Sequence, residues 1–242
     1  MGSCDREDEG FGLMRGAMRP GGKASGQGEV AAPPTKAKVR KILDILAKTY
    51  PHARIELDFT SPLELLVATI LSAQCTDARV NLVTPYLFRK YRPTRAYAEA
   101  DPAVFEEEIR STGFFRSKAK NIITCCQQLV RDFGGEVPRS MEELTTLPGV
   151  GRKTANIILY NAYGIPGFAV DTHVARVTNR LGLVDTENPD RIEEEMCRLL
   201  PREAWGQATH LFIFHGRRTC QAKQPRCPQC PTRSLCPWPG KR

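Results

Sequence analysis

The sequence predicts an all-α protein, on three observations. Apolar residues recur at helical spacing through most of the chain, and Val39, Ile42 and Leu46 mark one face of a first helix. Signals for helix starts precede several such runs. Alternation of apolar and polar residues, which indicates strands, occurs only in the short and isolated stretch 55–59.

Size, composition and charge restrict the class of protein. The chain has 242 residues, of which 41% are hydrophobic, so it has room for one large or two small domains with a buried core. Its net charge of +8 and its pI of about 9.1 indicate an acidic partner, most simply nucleic acid. No apolar run approaches the roughly 18 residues that a membrane span needs, and no signal peptide is evident, so we expect a cytoplasmic protein.

The N-terminal residues 1–35 are rich in Gly and show no apolar periodicity, so we expect a disordered tail before the first helix. Ser61 and Glu64 form a capping box with Pro62 at the first helical position, and the helix they start runs to about Gln74. It is apolar on nearly all sides, which indicates a central place in the core. Further helices are expected at about 77–89 with Asp77 as its cap, 101–111, 117–133, 151–163, 172–181, 189–200 and 203–217.

A glycine turn between two helices lies at Leu147–Ala155. Ser140 and Glu143 form a second capping box just ahead of it, and an apolar helical run follows it. Arg152 and Lys153 fall in the first turn of the second helix, where the helix dipole disfavours each cation by roughly 0.3–1 kcal/mol. A bound anion would explain both positive charges, because the turn exposes backbone N–H groups at a helix N-terminus and so forms a phosphate-binding site.

Four of the nine cysteines crowd into the C-terminal end of the chain, in the order Cys220-x6-Cys227-x2-Cys230-x5-Cys236. Without a secretion signal, this clustering favours a metal over disulfides. Four thiolates hold either one zinc ion or an iron–sulfur cluster, and the single tight pair with wider gaps on both sides suits the larger cluster better. Zinc stays open on spacing alone. The other cysteines beyond the tail, Cys75, Cys125, Cys126 and Cys197, are expected to be small core residues.

Basic residues surround the four clustered cysteines, and they allow two interpretations. Their positive charge offsets a negative thiolate cage, or it contacts a phosphate backbone, and both can hold at once. The residues are Arg217, Arg218, Lys223, Arg226 and Arg233.

Lys153 and Asp171 also allow two interpretations each. Lys153 is either a solvated cation near a phosphate or an amine nucleophile, whose protonated form is disfavoured by a helix N-terminus, by the neighbouring Arg152 and by an expected partial burial. Asp171 lies between an apolar turn and a new helix, where a plain N-cap is the simplest interpretation. His173 belongs to the same helix start and is expected to be a packed or capping histidine.

Three motifs together resemble one known family. Leu147–Asn156 looks like the helix-hairpin-helix of the endonuclease III family of DNA glycosylases, Val170–Val174 looks like the aspartate motif of that family, and the cysteine spacing matches its [4Fe-4S] loop. The order and spacing of the three motifs agree, and the similarity covers about residues 36–237.

The resemblance implies two helical domains with a DNA cleft between them. A six-helix bundle at 55–165 would hold the helix-hairpin-helix. An iron–sulfur cluster domain would combine 36–54 with 166–242, and only the tail would lie outside both.

The resemblance also implies an activity and the residues that perform it. The protein would be a monomeric, bifunctional DNA glycosylase and AP lyase that removes oxidised pyrimidines from duplex DNA in base excision repair, associated with the nucleoid if the source is bacterial. Lys153 would be the nucleophile and Asp171 the essential carboxylate. The implied cluster ligands are Cys220, Cys227, Cys230 and Cys236, and the implied DNA contacts are Gln74, Phe114, Leu147, Gly149, Val150, Gly151, Arg152, Thr172, His173, Lys223 and Arg226.

Two of the implied DNA contacts form a wedge. Gln74 matches the glutamine that fills the space left by an extruded base, and Phe114 stands where the family usually has leucine. That departure keeps the intercalating role but changes the shape of the wedge. The hairpin backbone at Leu147, Val150 and Gly151 would also suit a monovalent cation that bridges to phosphate.

Two other functions remain as alternatives. An adenine-mismatch glycosylase shares the fold, the cluster and the aspartate, but it generally lacks the hairpin lysine and has an extra C-terminal domain, whereas this chain has Lys153 and ends at Arg242. A DNA-binding protein without catalysis would use the hairpin and cluster only as architecture. The presence of both Lys153 and Asp171 speaks against it.

Overall fold

The computed structural model describes residues 34–240, so the predicted tail at 1–35 lies almost wholly outside the described residues. Within that range all regular structure is helical and no residue is in a strand, which confirms the all-α class. No described helix combines the length and apolar character that a membrane span requires. The α-helices are α1 (Lys36–Thr49), α2 (Pro62–Leu71), α3 (Asp77–Lys90), α4 (Thr94–Ala98), α5 (Pro102–Ile109), α6 (Phe115–Asp132), α7 (Met141–Leu144), α8 (Arg152–Tyr163), α9 (Thr172–Arg180), α10 (Pro189–Leu199) and α11 (Trp205–Arg218), with short 3-10 turns at Arg110–Thr112, Arg202–Ala204, Cys227–Gln229 and Arg233–Leu235.

Most helices begin where the sequence supplies a capping side chain, because the first N–H groups of a helix need an acceptor. The caps are Thr35, Ser61, Thr76, Asp101, Ser140, Asp171 and Asn188, ahead of α1, α2, α3, α5, α7, α9 and α10. Thr76 caps α3, and not Asp77 as the sequence predicted. The Glu64 carboxylate accepts from the N–H of Thr60 at 2.6 Å and not from that of Ser61, so the predicted capping box is only half formed.

Two other local features concern the start of α6, which differs from the sequence prediction, and the alternating stretch, which agrees with it. Helix α6 begins two residues early because Phe114 adopts a left-handed conformation, with φ 47° and ψ 29°, and starts the helix directly. The alternating stretch 55–59 forms no strand and pairs with no other strand of the described residues. The side chain of Asn81 takes that place, since it donates to the carbonyl of Glu56 at 2.8 Å and accepts from the N–H of Asp58 at 3.1 Å.

The described helices enclose two hydrophobic clusters. The first is built around α2, whose residues Leu65–Leu71 are all buried, and draws its members from α2 to α8 and the segments between them. The second joins α1 to α9, α10 and α11, with Val39, Val174 and Phe212 fully buried. This distribution supports the division into domains at 55–165 and at 36–54 with 166–242, which stays a prediction.

Four cysteines outside the clustered four pack in or against the hydrophobic clusters, as predicted: Cys75, Cys125, Cys126 and Cys197. Cys125 and Cys126 are buried in the first cluster, and burial raises the pKa of the Cys125 thiol to about 12. Cys197 packs against the second cluster, where burial raises the pKa of its thiol to about 12 as well. Protonated thiols of this kind are poor nucleophiles and poor metal ligands.

Candidate active site and nucleic-acid interface

Lys153 lies at the exposed N-terminal end of α8. Gly151 precedes this helix and has no side chain to cap it, so the first N–H groups of α8 point out of the helix without an acceptor. The Lys153 side chain is exposed, and not partly buried as the sequence predicted, because it extends from the open end of the helix. It makes no hydrogen bond or salt bridge to any residue of 34–240. An amine that no carboxylate neutralises is thus placed at the positive end of a helix dipole.

Asp171 is the N-cap of α9. One of its carboxylate oxygens accepts from the N–H of Val174 at 2.8 Å, so the N-cap interpretation from the sequence describes its position. The side chain is only partly buried, and its second oxygen is free to face the pocket described next.

A single open pocket, with about 640 Å³ of empty space, is lined by both Lys153 and Asp171. Its walls come from α8 on one side and from α11 on the other, with Asp171 ahead of α9 between them in the chain. Apolar side chains such as Ile157 and Phe214 line it beside the charged ones. A pocket that combines apolar walls with a few converging polar groups is the usual form of a site for a small organic group.

Close packing between α8 and its neighbours fixes the two sides of this pocket. The buried Asn156 amide, one turn after Lys153, donates to the carbonyl of Phe168 at 3.3 Å. A Cβ on Gly206 would lie 2.2 Å from the ring of Tyr160, so only glycine lets α11 approach α8 at this point. Lys153 on α8 and Asp171 ahead of α9 are therefore held at a fixed separation.

A buried histidine adds a polar link between the same helices. His210 on α11 bonds through Nε2 to the side-chain oxygen of Asn161 on α8 at 2.9 Å. Burial lowers the pKa of His210 to about 4, so the ring is neutral at pH 7. A neutral ring donates through Nε2 here, because the amide oxygen can only accept.

Salt bridges at the edge of the pocket connect α11 to residues near the first hydrophobic cluster. Arg217 forms salt bridges with Glu56 and with Asp77, the latter at 2.9 Å. In the sequence, Arg217 was identified only as one of the basic residues around the clustered cysteines. Its partners lie more than 100 residues away in the chain, so no local pattern indicated these salt bridges.

Arg152 has carboxylate partners in this structure. Its guanidinium contacts Glu193 at 2.7 Å and Asp190 at 3.6 Å, both on α10. These contacts supply negative charge next to the N-terminal end of α8, so Arg152 joins the hairpin to the second cluster. Of the two cations that the sequence placed at this helix start, only Lys153 is left without a carboxylate.

The hairpin turn exposes backbone groups to solvent and buries its apolar side chains. Leu147 and Val150 are buried in the first cluster, and the N–H of Val150 already bonds to the carbonyl of Leu147 at 3.1 Å. Gly149 has φ 80°, and a Cβ there would lie 3.1 Å from the Asn121 side chain, so this position requires glycine. The exposed surface of the turn is formed by Gly149 and Gly151, next to the uncapped start of α8.

Thr172 and His173 occupy the first turn of α9. Thr172 is exposed and His173 is half-buried, with its Nδ1 accepting from the Arg176 guanidinium at 3.1 Å. Burial lowers the pKa of His173, although the Asp171 carboxylate opposes this effect. The histidine is thus a packed residue, as the sequence suggested, with one edge near Asp171.

Gln74 and Phe114 share an unusual backbone. They are the two residues other than glycine that have positive φ within the described range, at 53° and 47°. Such conformations cost free energy and often mark functional sites. Phe114 is also 65% exposed, which is rare for an aromatic ring in the absence of a partner.

The four clustered cysteines line one enclosed cavity. It has about 310 Å³ of empty space, and Arg180, His215 and Trp238 complete its wall. No three His, Cys, Asp or Glu side chains of residues 34–240 converge closely enough for a single metal ion. Four thiols around one cavity are a donor set that suits an iron–sulfur cluster, and zinc accepts four thiolates as well.

Helix α9 holds the cysteine loop through two arginines. Arg176 donates to the carbonyl of Cys220 at 3.0 Å, and Arg180 donates to the carbonyls of Gln221 and Ala222 at 2.8 and 2.9 Å. Arg180 also lies 3.5 Å from the Cys220 sulfur.

Lys223 and Arg226, further along this loop, are exposed and form no salt bridge with any described residue. Two side chains with a free positive charge on one short loop suit contact with phosphate.

Comparisons with known proteins agree with this geometry. Residues 67–202 match the model of the HhH-GPD superfamily base excision DNA repair protein. Endonuclease III of Synechocystis sp. is 52% identical over 203 residues, which cover 84% of this chain and 93% of the relative. Endonuclease III of Bacillus subtilis is 46% identical over 201 residues, which cover 83% and 92%.

A solved structure of a trapped endonuclease III–DNA covalent intermediate superimposes with a TM-score of 0.81 at 46% identity. The superposition covers 84% of this chain and 96% of that chain. By this match over most of its length, the chain belongs to the endonuclease III family, within the HhH-GPD superfamily of base excision DNA repair proteins.

Proposed function

We propose that this protein removes oxidised pyrimidines from duplex DNA and then cuts the strand, with Lys153 as the nucleophile and Asp171 as the essential carboxylate. Its class follows from the family: it is a DNA glycosylase with AP lyase activity in base excision repair. The observation that carries the residue assignment is the pocket between the two hydrophobic clusters, which both side chains line.

Access to the damaged base requires that it leave the duplex. Extrusion costs a few kcal/mol, and least for a base that stacks and pairs poorly, such as an oxidised pyrimidine. Gln74 and Phe114 fill the gap and keep the DNA bent. Both are exposed at the tips of loops, and their side chains are free for this role.

Phosphates on both sides of the extruded nucleotide bind to backbone and to basic side chains. The uncapped N–H groups of α8, beside Gly149 and Gly151, donate to one phosphate, and the exposed Thr172 and the half-buried His173 at the start of α9 provide further contacts. Lys223 and Arg226 add cationic contacts on the cysteine loop. A monovalent cation on the hairpin backbone at Leu147, Val150 and Gly151 would bridge to the same phosphate.

The chemistry begins with an attack of the Lys153 amine on C1′ of the sugar. The bond from C1′ to the base nitrogen breaks, and the base leaves with its bonding electron pair. Asp171 stabilises the positive charge that develops on the sugar, and it accepts a proton from the nitrogen of Lys153, which becomes positively charged when the amine adds to C1′. Because its N-cap hydrogen bond fixes the carboxylate, this negative charge is in place before the reaction starts.

The bond from C1′ to the ring oxygen O4′ then breaks, O4′ takes up a proton, and a Schiff base is left between Lys153 and C1′. Strand cleavage follows from this Schiff base. The iminium withdraws electrons, so a base removes a proton from C2′ and the bond from C3′ to its oxygen breaks. The 3′ phosphate group leaves, and water later hydrolyses the Schiff base and releases Lys153. One lysine therefore serves both the glycosylase and the lyase reactions.

We propose a [4Fe-4S] cluster held by Cys220, Cys227, Cys230 and Cys236. The support is the cavity that all four thiols line, together with the arginines that offset the negative charge of a thiolate cage. A bound cluster orders the loop that carries Lys223 and Arg226, and takes no part in the steps above. The proposed setting is a monomer in the cytoplasm, associated with the nucleoid if the source is bacterial.

The deciding experiment is borohydride trapping on duplex DNA that contains thymine glycol. Borohydride reduces the Schiff base to a stable amine, so the wild-type protein should form a covalent adduct and Lys153→Ala should form none. Lys48→Ala, which removes an exposed lysine from α1, is the matched control and should trap like the wild type.

The alternatives give different results in the same assay. An adenine-mismatch glycosylase would release adenine without a trapped adduct, and a non-catalytic DNA-binding protein would bind without releasing any base. Absence of an adduct in the wild type would refute the lyase mechanism at Lys153.

A further inference from the structure

One buried lysine has no part in the mechanism above. Lys118 lies in the first turn of α6, and its side chain is 4% exposed. Its ammonium donates to two carbonyl oxygens, that of Leu71 at 2.7 Å and that of Thr112 at 2.7 Å. No carboxylate of residues 34–240 forms a salt bridge with it. A buried cation paired only with backbone carbonyls is uncommon, because desolvation of the charge is costly.

Both carbonyls belong to the ends of helical segments. Leu71 is the last residue of α2, and Thr112 is the last residue of the 3-10 turn before α6. The C-terminal carbonyls of helices carry partial negative charge and lack partners within their own helix. The Lys118 ammonium therefore donates hydrogen bonds to the C-terminal carbonyls of two helical segments and places a positive charge beside both.

Leu71 and Thr112 also stand directly before the two loops that carry the proposed wedge residues, Gln74 and Phe114. Gln74 follows Leu71 by three residues, and Phe114 follows Thr112 by two. The backbone N–H of Lys118 also donates to the carbonyl of Phe114 at 3.1 Å. Lys118 thus restrains Phe114 in two ways. Its side chain binds the carbonyl of Thr112, which precedes Phe114, and its backbone N–H binds the carbonyl of Phe114 itself.

We propose that Lys118 is a positioning residue that joins the Gln74 and Phe114 loops into one rigid wedge for DNA. This inference rests on the proposed function, since it assigns no chemistry to Lys118 itself. The two loops are more than 30 residues apart in sequence, and the ammonium bonds both. Because Gln74 and Phe114 both have left-handed backbones, each loop needs support from its surroundings to keep that conformation.

The test compares Lys118→Met with Lys120→Met. Methionine keeps the length and the apolar stem of Lys118 but removes the charge and the donors. Lys120 lies two residues further along α6 and is exposed, so its replacement removes the same charge from the same helix without touching the loops. Lys118→Gln, which keeps an amide donor, serves as a milder second variant in case the first folds poorly.

Wedge insertion is measured by the fluorescence of 2-aminopurine placed opposite a tetrahydrofuran abasic analogue. Insertion of side chains unstacks the fluorescent base, so wild type and Lys120→Met should give the same increase on binding. Lys118→Met should lose most of that increase while it still binds DNA. The concentration of active protein is set for each variant by borohydride trapping on a preformed abasic site, so that a partly folded sample does not distort the comparison.

Single-turnover rates provide a second measure. Release of thymine glycol requires extrusion of a base, and a displacement of the wedge should slow it by about 10- to 100-fold in Lys118→Met. Cleavage at a preformed abasic site has no base to extrude and should change much less. Addition of Phe114→Ala to Lys118→Met should cause little further loss, because both changes disable the same wedge.

Three results would overturn the inference. These are an unchanged fluorescence increase in Lys118→Met and Lys118→Gln, an equal loss of rate on both substrates, and full additivity with Phe114→Ala. Failure of the proposed function would look different, since the wild-type protein itself would then form no borohydride adduct.

Discussion

A single substitution separates the N-cap position of Asp171 from its proposed role in catalysis. As the N-cap of α9, it needs only an oxygen that accepts from the N–H of Val174 at 2.8 Å. As the carboxylate beside Lys153, it needs a negative charge. Asparagine keeps the accepting oxygen and caps helices as well as aspartate does, whereas alanine removes both the oxygen and the charge.

The two roles predict different magnitudes. Asp171→Ala should lower the free energy of unfolding by about 1 kcal/mol, which for a chain of this size corresponds to a Tm lower by roughly 2–4 °C. Asp171→Asn should change the Tm by less than about 1 °C for the same reason. Both variants should lose base removal by about 10²- to 10⁴-fold, because each lacks the charge that stabilises the sugar and deprotonates Lys153.

The assay pairs thermal unfolding with single-turnover release of thymine glycol. Asp101 provides the matched control, since it caps α5 through an equivalent hydrogen bond of 3.0 Å to Val104 and does not line the pocket. Asp101→Ala should reproduce the loss of stability with unchanged turnover. Wild-type rates in Asp171→Asn would refute the catalytic assignment and leave Asp171 as a helix cap alone.

Three further predictions concern the DNA contacts, the core and the cysteine loop. Replacement of Lys223 or Arg226 by alanine should weaken DNA binding and reduce the slope of log K against log salt by about 0.9 for each lost phosphate contact, and an unchanged slope would show that neither touches DNA. Since burial lowers the pKa of His210 to about 4 from 6.5, the unfolded chain binds one more proton between these values. The stability that this ring provides is complete above pH 6.5 and falls by up to about 1.4 kcal/mol per unit as the pH drops towards 4. His210→Gln should flatten the decrease of unfolding free energy between pH 6.5 and 5, and a parallel curve would contradict the assignment. Cys230→Ala should abolish bound iron and sulfide, whereas Cys197→Ala should retain both in elemental analysis, and iron in Cys230→Ala or stoichiometric zinc in the wild type would exclude the cluster.

The sequence predicted those elements whose causes are local. Helix starts at Ser61, Asp101 and Asp171 depend on a side chain two or three residues away, so the sequence itself displays them. Apolar spacing likewise located the helices that fill the two clusters. The residue types of the Lys153 and Asp171 motifs, read with the cysteine spacing, were enough to indicate the family.

Features that depend on distant parts of the chain were not predicted. Arg152 pairs with Glu193, 41 residues later, and no local pattern reports that contact. Lys118 looked like any polar residue of an amphipathic helix, because its partners are carbonyls, which every residue has. The left-handed backbone of Phe114 also has no sequence signal, since glycine is the usual residue there.

The second hydrophobic cluster has a consequence for how the chain is made. Its first member, α1, is synthesised early, but its partners α9 to α11 come last, and Lys38 bonds to the carbonyl of Leu181, 143 residues later. All members of the first cluster lie between α1 and α9 in the chain. During synthesis, the apolar face of α1 therefore has no native partner until the whole first cluster has been made. Helix α1 is thus made before the whole of the first cluster but meets its native partners only after that cluster has been made.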